Sequence, residues 1–559
     1  MNIFAQQAIT SATGQKSFIL SDANPSSLPS LSKTINFPND QALIDAANIF
    51  NTTAINASGI PGVSKGGASP LIHANTPIHS ADTQPARLVT QLGDISAVQM
   101  VLPKQAIVQA GRDLINSPIQ IQQINQADTS IIAAGRDIIF VTDLDRNGVP
   151  TDKNSAYQIL ISGPGDTLVK TGRNLDLGAS VGLTTVGNLY NSALPSVGAS
   201  LDVLVGLNAG TPSYAAFIDK YLNNNPLYLS EFSQVKSIIT AFIKQKTGDM
   251  TLTDDQALTS FGHLTGDQTL AIQPQLNSLL TKVFFNELKI AGSASASDKS
   301  KGNKGGFEAI DTLFPGNQWQ GNLSLFFSKL QTVSGGNINL YVPGGQVNAG
   351  LAVAPSGSGA KTADKLGIVA QQTGDINAFV KDDFTVNTSR VFTLGGGDIL
   401  IWSSEGNIDA GKGAKSALAV SVDAPYYDSN NQLVIPAPKI TSGSGIRTAA
   451  SPGVQAGDVF LFAPHGVVDA GEAGIGGTNV TISATAVLGA NNISVGGVST
   501  GVPQASTGSM AAGLTGTSNL TANVSQTAQT TATKDDEDEK KKKNTMLGML
   551  SVEVLGFGE

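Results

Sequence analysis

The chain has 559 residues, of which 40% are apolar and only 14% charged, with 61 glycines, no cysteine and a formal net charge of −9. An average globular protein is about 25% charged, so glycine and small polar side chains must keep this surface wet, a composition suited to many tight turns between short strands. The lack of cysteine excludes disulfides, thiolate metal sites and thiol nucleophiles, and no segment is basic enough to neutralise a phosphate backbone, which excludes nucleic acid as the expected partner.

Residues 1–90 show no sustained period and are expected as an irregular N-terminal segment. The opening MNIFAQQAITSATGQKSFILSDANP has no basic stretch leading into an apolar one, so no secretory signal is visible. Nor does any run reach the roughly 18 consecutive apolar residues of a spanning helix. An export signal would then lie outside this chain, which reads as the C-terminal part of something longer or as a truncated reading frame.

Over 91–210 a short unit recurs: Gly93-Asp94-Ile95, Gly111-Arg112-Asp113-Leu114, Gly135-Arg136-Asp137-Ile138 and Gly172-Arg173-Asn174-Leu175. The step from Gly111 to Gly135 is 24 residues, which suits one coil of a parallel β-helix per roughly 20 residues, with coils stacked at strand spacing. Within this region Asp143, Asp145 and Asn147, followed by Gly148, match the first half of a calcium loop. Asn154 stands where that loop has its bidentate Glu, and Arg146 adds positive charge inside it. The other reading is an acidic β-turn after Phe140 and Val141, so calcium is the one cofactor the sequence admits.

From 211 to 292 the period changes to that of helices. Tyr214, Phe217, Ile218, Tyr221 and Leu222 mark one amphipathic face, ended by Pro226. Ser230 is the expected N-cap of a second helix carrying Phe232, Val235, Ile239, Phe242 and Ile243 to Gly248. Leu276, Leu279, Leu280, Val283, Phe284 and Leu288 mark a third, ending at Gly292. This α-helical insertion is expected to be separable from the shaft. Residues 293–320 follow as a polar linker, opening SASASDKSKGNKG, with a short helix near Phe307 to Phe314.

Coils are expected again over 321–498. GGNINLYVPGGQVNAG, GGDILIWSSEGNIDAG and AGDVFLFAPHGVVDAG begin at 335, 396 and 456, which are 61 and 60 residues apart; three coils per period are expected. Alternation points Ile338, Ile399 and Val459 into one core. Leu400, Trp402, Phe460 and Phe462 are apolar on the opposite face, which calls for a cover. The repeated Asp and Asn side chains are read as turn caps. Residues 499–545 are low-complexity and end in an acidic and a basic block, as a disordered linker would; 546–559 are an apolar segment able to add a strand to a partner.

The units quoted, together with ISGPGDTLVKTGRNLDLGASVGLTTVGN (161–188), LFPG (313–316), VVDAGEAGIGG (467–477) and VEVLGFGE (552–559), resemble the filamentous haemagglutinin family of exported bacterial adhesins. The resemblance implies two-partner secretion through a dedicated outer-membrane transporter, a β-helical shaft, an extracellular or outer-membrane-associated location, and attachment to host or bacterial surface carbohydrate or protein. It carries over no catalytic residue, and the family's N-terminal secretion domain has no counterpart here.

The expected fold is therefore mainly β, a right-handed parallel β-helix (solenoid) with an inserted α-helical subdomain, and the expected function is attachment by an adhesin without catalysis. The alternatives are a polysaccharide lyase or hydrolase, for which Asp382-Asp383 is the only adjacent carboxylate pair in the repeats, and a purely structural filament protein. The four histidines, His73, His79, His263 and His465, are scattered and form no standard metal spacing.

Overall fold

A short strand with alternating apolar residues cannot bury its inward face alone, but a stack of such strands can. The computed structural model shows that stack. It describes residues 1–11, 16–20, 81–143, 157–188, 194–264, 272–351, 366–413, 443–450 and 454–503, together with 146, 268, 426–427 and 433–434; 209, 224 and 265–267 lie outside it. Each coil contributes a strand of about five residues, a two-residue strand and a third strand, and every coil-to-coil pairing is parallel. The third strands form an 11-stranded sheet running from Lys16–Ile19 to Ile493–Val495. The long and two-residue strands form two further columns of one 21-stranded sheet. This is a parallel β-helix.

The register sets the core. Ile338 pairs with Ile376, Ile376 with Ile399, and Ile399 with Val459, and all four are fully buried in one continuous interior. The expected inward positions are therefore correct. The period is corrected. From Ile338 to Ile399 the chain makes two coils, and from Ile399 to Val459 it makes one, with residues 414–442 inserted between the two-residue strand Ile408–Asp409 and the third strand Gly445–Thr448. Equal spacing in sequence thus hides unequal coil numbers.

The recurrent Gly-Asx pair has a direct physical cause. At Gly397 a Cβ would run into the Gly374 carbonyl of the preceding coil, and at Gly457 into that of Gly397, so only glycine lets successive turns approach at strand spacing. The next residue then bonds along the stack. Asp398 N donates to Asp375 Oδ1 (2.9 Å), Asp458 N to Asp398 Oδ1 (2.8 Å) and Asn479 N to Asp458 Oδ1 (3.0 Å). The second turn repeats the device from Asp94 through Asp113 and Asp137 to Asn174. There Arg112, Arg136 and Arg173 each reach back to the carboxylate one coil earlier, pairing with Asp94, Asp113 and Asp137.

The helices enter within one coil, between the strands Ser200–Leu204 and Leu323–Ser324. They are α1 (Tyr214–Phe217, continued as a π-turn over Ile218–Leu222), α2 (Leu229–Thr247), α3 (Asp254–Gly262), α4 (Gln273–Ser297) and α5 (Lys304–Leu313). Gly248, at φ 76°, ends α2 in the left-handed conformation, and a Thr253/Gln256 capping box starts α3. No helix among the described residues is long and apolar enough to cross a membrane.

α4 lies along the stack and spends about one turn per coil. Gln273 Oε1 accepts from Lys170 (2.7 Å), Asn277 donates to Asp202 (2.7 Å), and Thr281 bonds Tyr341 Oη (2.7 Å). Further on, Phe284 meets Phe379, Gly292 lies on the Phe462 ring, and Ser295 bonds Ser483. The two periods nearly match, because a helical turn rises about 5.4 Å and a coil about 4.8 Å. Phe284 sits at the centre of this roof, with Phe217, Phe285, Phe314, Tyr341 and Phe379 at ring separations of 5.2–6.1 Å.

Several expected boundaries change. The N-terminal segment is not wholly irregular, since Asn2–Ala5 pairs with the strand Ala86–Thr90; 21–80 lie outside the described residues. Helix α2 begins at Leu229 after a 3-10 turn over Pro226–Tyr228, so Ser230 is not its cap. Gly292 does not end α4. It is a point of close approach to Phe462, and the helix continues into the expected linker as far as Ser297, followed by a 3-10 turn and α5. The helices are also not an appendage: their apolar faces and the outward residues Leu204, Tyr341, Phe379, Leu400, Trp402, Phe460 and Phe462 share one buried cluster, and Met1–Pro503 is one unit. The expected linker and apolar tail at 504–559 lie outside the described residues.

Candidate functional site

Where the helical roof leaves the sheet, it leaves a cleft of about 370 Å³, at the small end of the ~300–1,000 Å³ usual for ligand pockets. Its floor is the outward face of successive strands and their leading turns: Asp166, Asp202, Asn339, Asp375, Asn377 and Asp398. Its wall is the start of α2 and one side of α4, including Tyr228, Glu231, Lys282 and Lys289.

The wall is tied together. Lys282 donates to Glu231 (2.6 Å), and this bond holds the Glu231 carboxyl below the usual range. Tyr228 donates to Glu287 (2.6 Å) and accepts from Asn286 (2.7 Å). Lys289 bonds Asp398 (3.2 Å) and covers the Phe460 ring at 4.0 Å. Each lysine thus spends one N–H on a neighbouring carboxylate and keeps others open.

The floor is a polarised ladder. Asn377 Nδ2 donates to Asn339 Oδ1 (2.9 Å), Asn339 Nδ2 to Asp202 Oδ1 (2.7 Å), and Asn277 Nδ2 to the other Asp202 oxygen (2.7 Å). Asp202 is only 2% exposed, and burial pushes its pKa up to about 6 against those two amide donors. Asp166 faces it from the neighbouring coil. Burial first, and the Asp202 charge second, raise Asp166 to about 7, and its carboxylate takes no hydrogen bond among the described residues. Lys170, close to α4, is lowered to about 8 by burial. Asp375 accepts the Asp398 N–H, and burial raises its pKa.

The sequence pointed elsewhere. Of the calcium candidate, Asp143 is described, whereas Asp145 and Asn147 lie outside the described residues; no group of three or more His, Asp or Glu able to hold a metal occurs among the described residues. Asp383 serves the turn ladder, accepting from Asn407 N (2.7 Å) and Nδ2 (3.1 Å), and neither it nor Asp382 lines the cleft. His465 pairs with Glu405 (2.9 Å) and stacks on Phe307, His263 follows the end of α3, and His73 and His79 lie outside the described residues. One signal for the cleft was present in the sequence: Asn339 occupies the place held by Leu400 and Phe460 in the two later units, a polar residue where the strand is otherwise apolar.

Residues 396–504 match the family described as filamentous haemagglutinin family outer membrane protein, in agreement with the resemblance of the coil units. No curated protein and no solved structure matches the chain.

Proposed function

We propose, for a chain whose residues 396–504 carry the mark of the filamentous haemagglutinin family, that it is an adhesin-type protein of the cell surface or medium that holds a surface ligand without turning it over. The observation that carries this reading is where the match falls: on the stacked coils themselves, including the strands Ile399–Ser403, Val459–Asp469 and Val480–Leu488. A solenoid presents long lateral surfaces, so attachment spreads over many polar contacts. A dedicated outer-membrane transporter of the two-partner kind would export it.

The test is flow cytometry of host and bacterial cells with the fluorescently labelled chain. Saturable binding that unlabelled chain displaces supports attachment. Binding no stronger than that of an unrelated labelled protein removes it.

A further inference from the structure

We propose that Lys170 and Gln273 join in an isopeptide bond with loss of ammonia, and that this bond pins the start of α4 covalently to the coil stack. It is independent of the attachment reading, and either can fail alone.

Lys170 stands on the outward face of the strand Asp166–Thr171, and Gln273 is the first residue of α4. The lysine Nζ donates to Gln273 Oε1 at 2.7 Å, and among the described residues it pairs with no carboxylate. A carboxylate at 273 would have settled the covered charge as an ion pair. An amide cannot, so burial lowers the lysine to about 8, and near that pH much of the amine is neutral, with a lone pair free to attack. Gln273 is only 2% exposed. Its Nε2 donates to Tyr214 Oη at 2.6 Å, so the amide is held from both sides. A C=O bond is about 1.23 Å long, which puts Nζ within about 3.9 Å of the Gln273 side-chain carbon, close to the ~3–3.5 Å of reacting atoms poised for attack.

The step balances without a co-reactant. The neutral Nζ attacks Cδ, the Nζ–Cδ bond forms, and the carbonyl electrons move onto Oε1. The Tyr214 hydroxyl gives its proton to Nε2 and takes one from the newly bonded Nζ. The electrons on Oε1 re-form the carbonyl, the Cδ–Nε2 bond breaks, and ammonia departs. A primary amine and a primary amide have become a secondary amide and ammonia, with nothing oxidised or reduced. Holding the two groups together acts as an effective concentration of ~10⁵–10⁸ M, and ammonia released to solvent does not return. The linked residues are 103 apart in sequence, so the bond closes a long loop around the entry to the helical roof.

The test is mass spectrometry of the purified full chain, folded and incubated at a pH just above the Lys170 value of about 8, beside Lys170→Arg, Gln273→Met and Tyr214→Phe. The expected result is an intact mass lower by one ammonia and a tryptic digest in which the peptides holding Lys170 and Gln273 appear as one branched species, uncut after Lys170. On a denaturing gel the closed loop should run ahead of the unlinked chain. Lys170→Arg and Gln273→Met should keep their full mass, and Tyr214→Phe should link at least tenfold more slowly. Separate, unmodified Lys170 and Gln273 peptides from the folded wild-type chain overturn the proposal, and this readout needs no variant to fold. An ammonia loss that persists in Lys170→Arg, or that maps to another residue, overturns it equally. Linking at an undiminished rate in Tyr214→Phe overturns the proton path.

Discussion

Removing the helical roof tests whether it is part of the fold or an attachment to it. Gln320 N donates to Gly206 O (3.0 Å), so the two ends of the insertion lie side by side and a few glycines can replace residues 208–318 without straining the coil. The deletion uncovers Leu204, Tyr341, Phe379, Leu400, Trp402, Phe460 and Phe462, all buried in the roof cluster, with Trp402 at 0% exposure. Burying a large apolar side chain is worth about 1.5–3 kcal/mol, so seven of them amount to roughly 10–20 kcal/mol, as much as the ~5–15 kcal/mol that separates a folded domain from its unfolded chain. The remaining coils should therefore lose their cooperative thermal transition in far-ultraviolet circular dichroism, bind a hydrophobic dye and elute as aggregates. A monomeric deletion variant that melts within about 4 °C of the full chain, the shift given by ~1 kcal/mol in a mid-sized domain, would refute the reasoning.

Ile399→Asp places a carboxylate in the continuous core and should cost several kcal/mol, against about 1 kcal/mol for Ile399→Val, measured by chemical denaturation. Gly306→Val drives a side chain into the Trp402 ring and should cost about 1–3 kcal/mol, whereas Gly305→Ala, whose Cβ meets only Ala291 at an ordinary 3.7 Å, should be neutral or stabilising. The folded state keeps protons on Asp166 (to about 7) and Asp202 (to about 6) that the unfolded chain releases near 4, so stability falls as pH rises from about 4 to 7. Asp166→Asn should flatten that fall in melts between pH 5 and 7.5; equal slopes would count against it. Because the chain has no cysteine, Ser295→Cys with Ser483→Cys gives an unambiguous pair. The two hydroxyl oxygens are 2.9 Å apart, so a disulfide should form under mild oxidation and show as a mobility shift that reductant reverses.

The sequence revealed what each coil repeats for itself. The Gly-Asx pair was visible because every turn meets the same steric limit and the same unpaired N–H, and the inward Ile338, Ile399 and Val459 followed from alternation alone. The apolar outer face with Trp402 and Phe462 called for a cover, and the helices supply it. Coil number was not visible, since residues 414–442 add chain length between two strands of one coil without altering the pairing of either. Gly292 was misread because a glycine chosen for close approach to Phe462 looks the same in sequence as one that ends a helix. The cleft draws Asp166, Asp202, Asn339 and Asn377 from four coils, and only the stacking register brings them together.

The central claim, attachment without turnover, is tested most directly by beads coated with the full chain and incubated with host and bacterial cells. In parallel, the soluble chain is incubated with their polysaccharides and assayed for new reducing ends and unsaturated products. The account predicts bead attachment that soluble chain competes away, and no products. Bare-bead levels of attachment, or release of sugar fragments that disappears in Asp166→Asn, would contradict it.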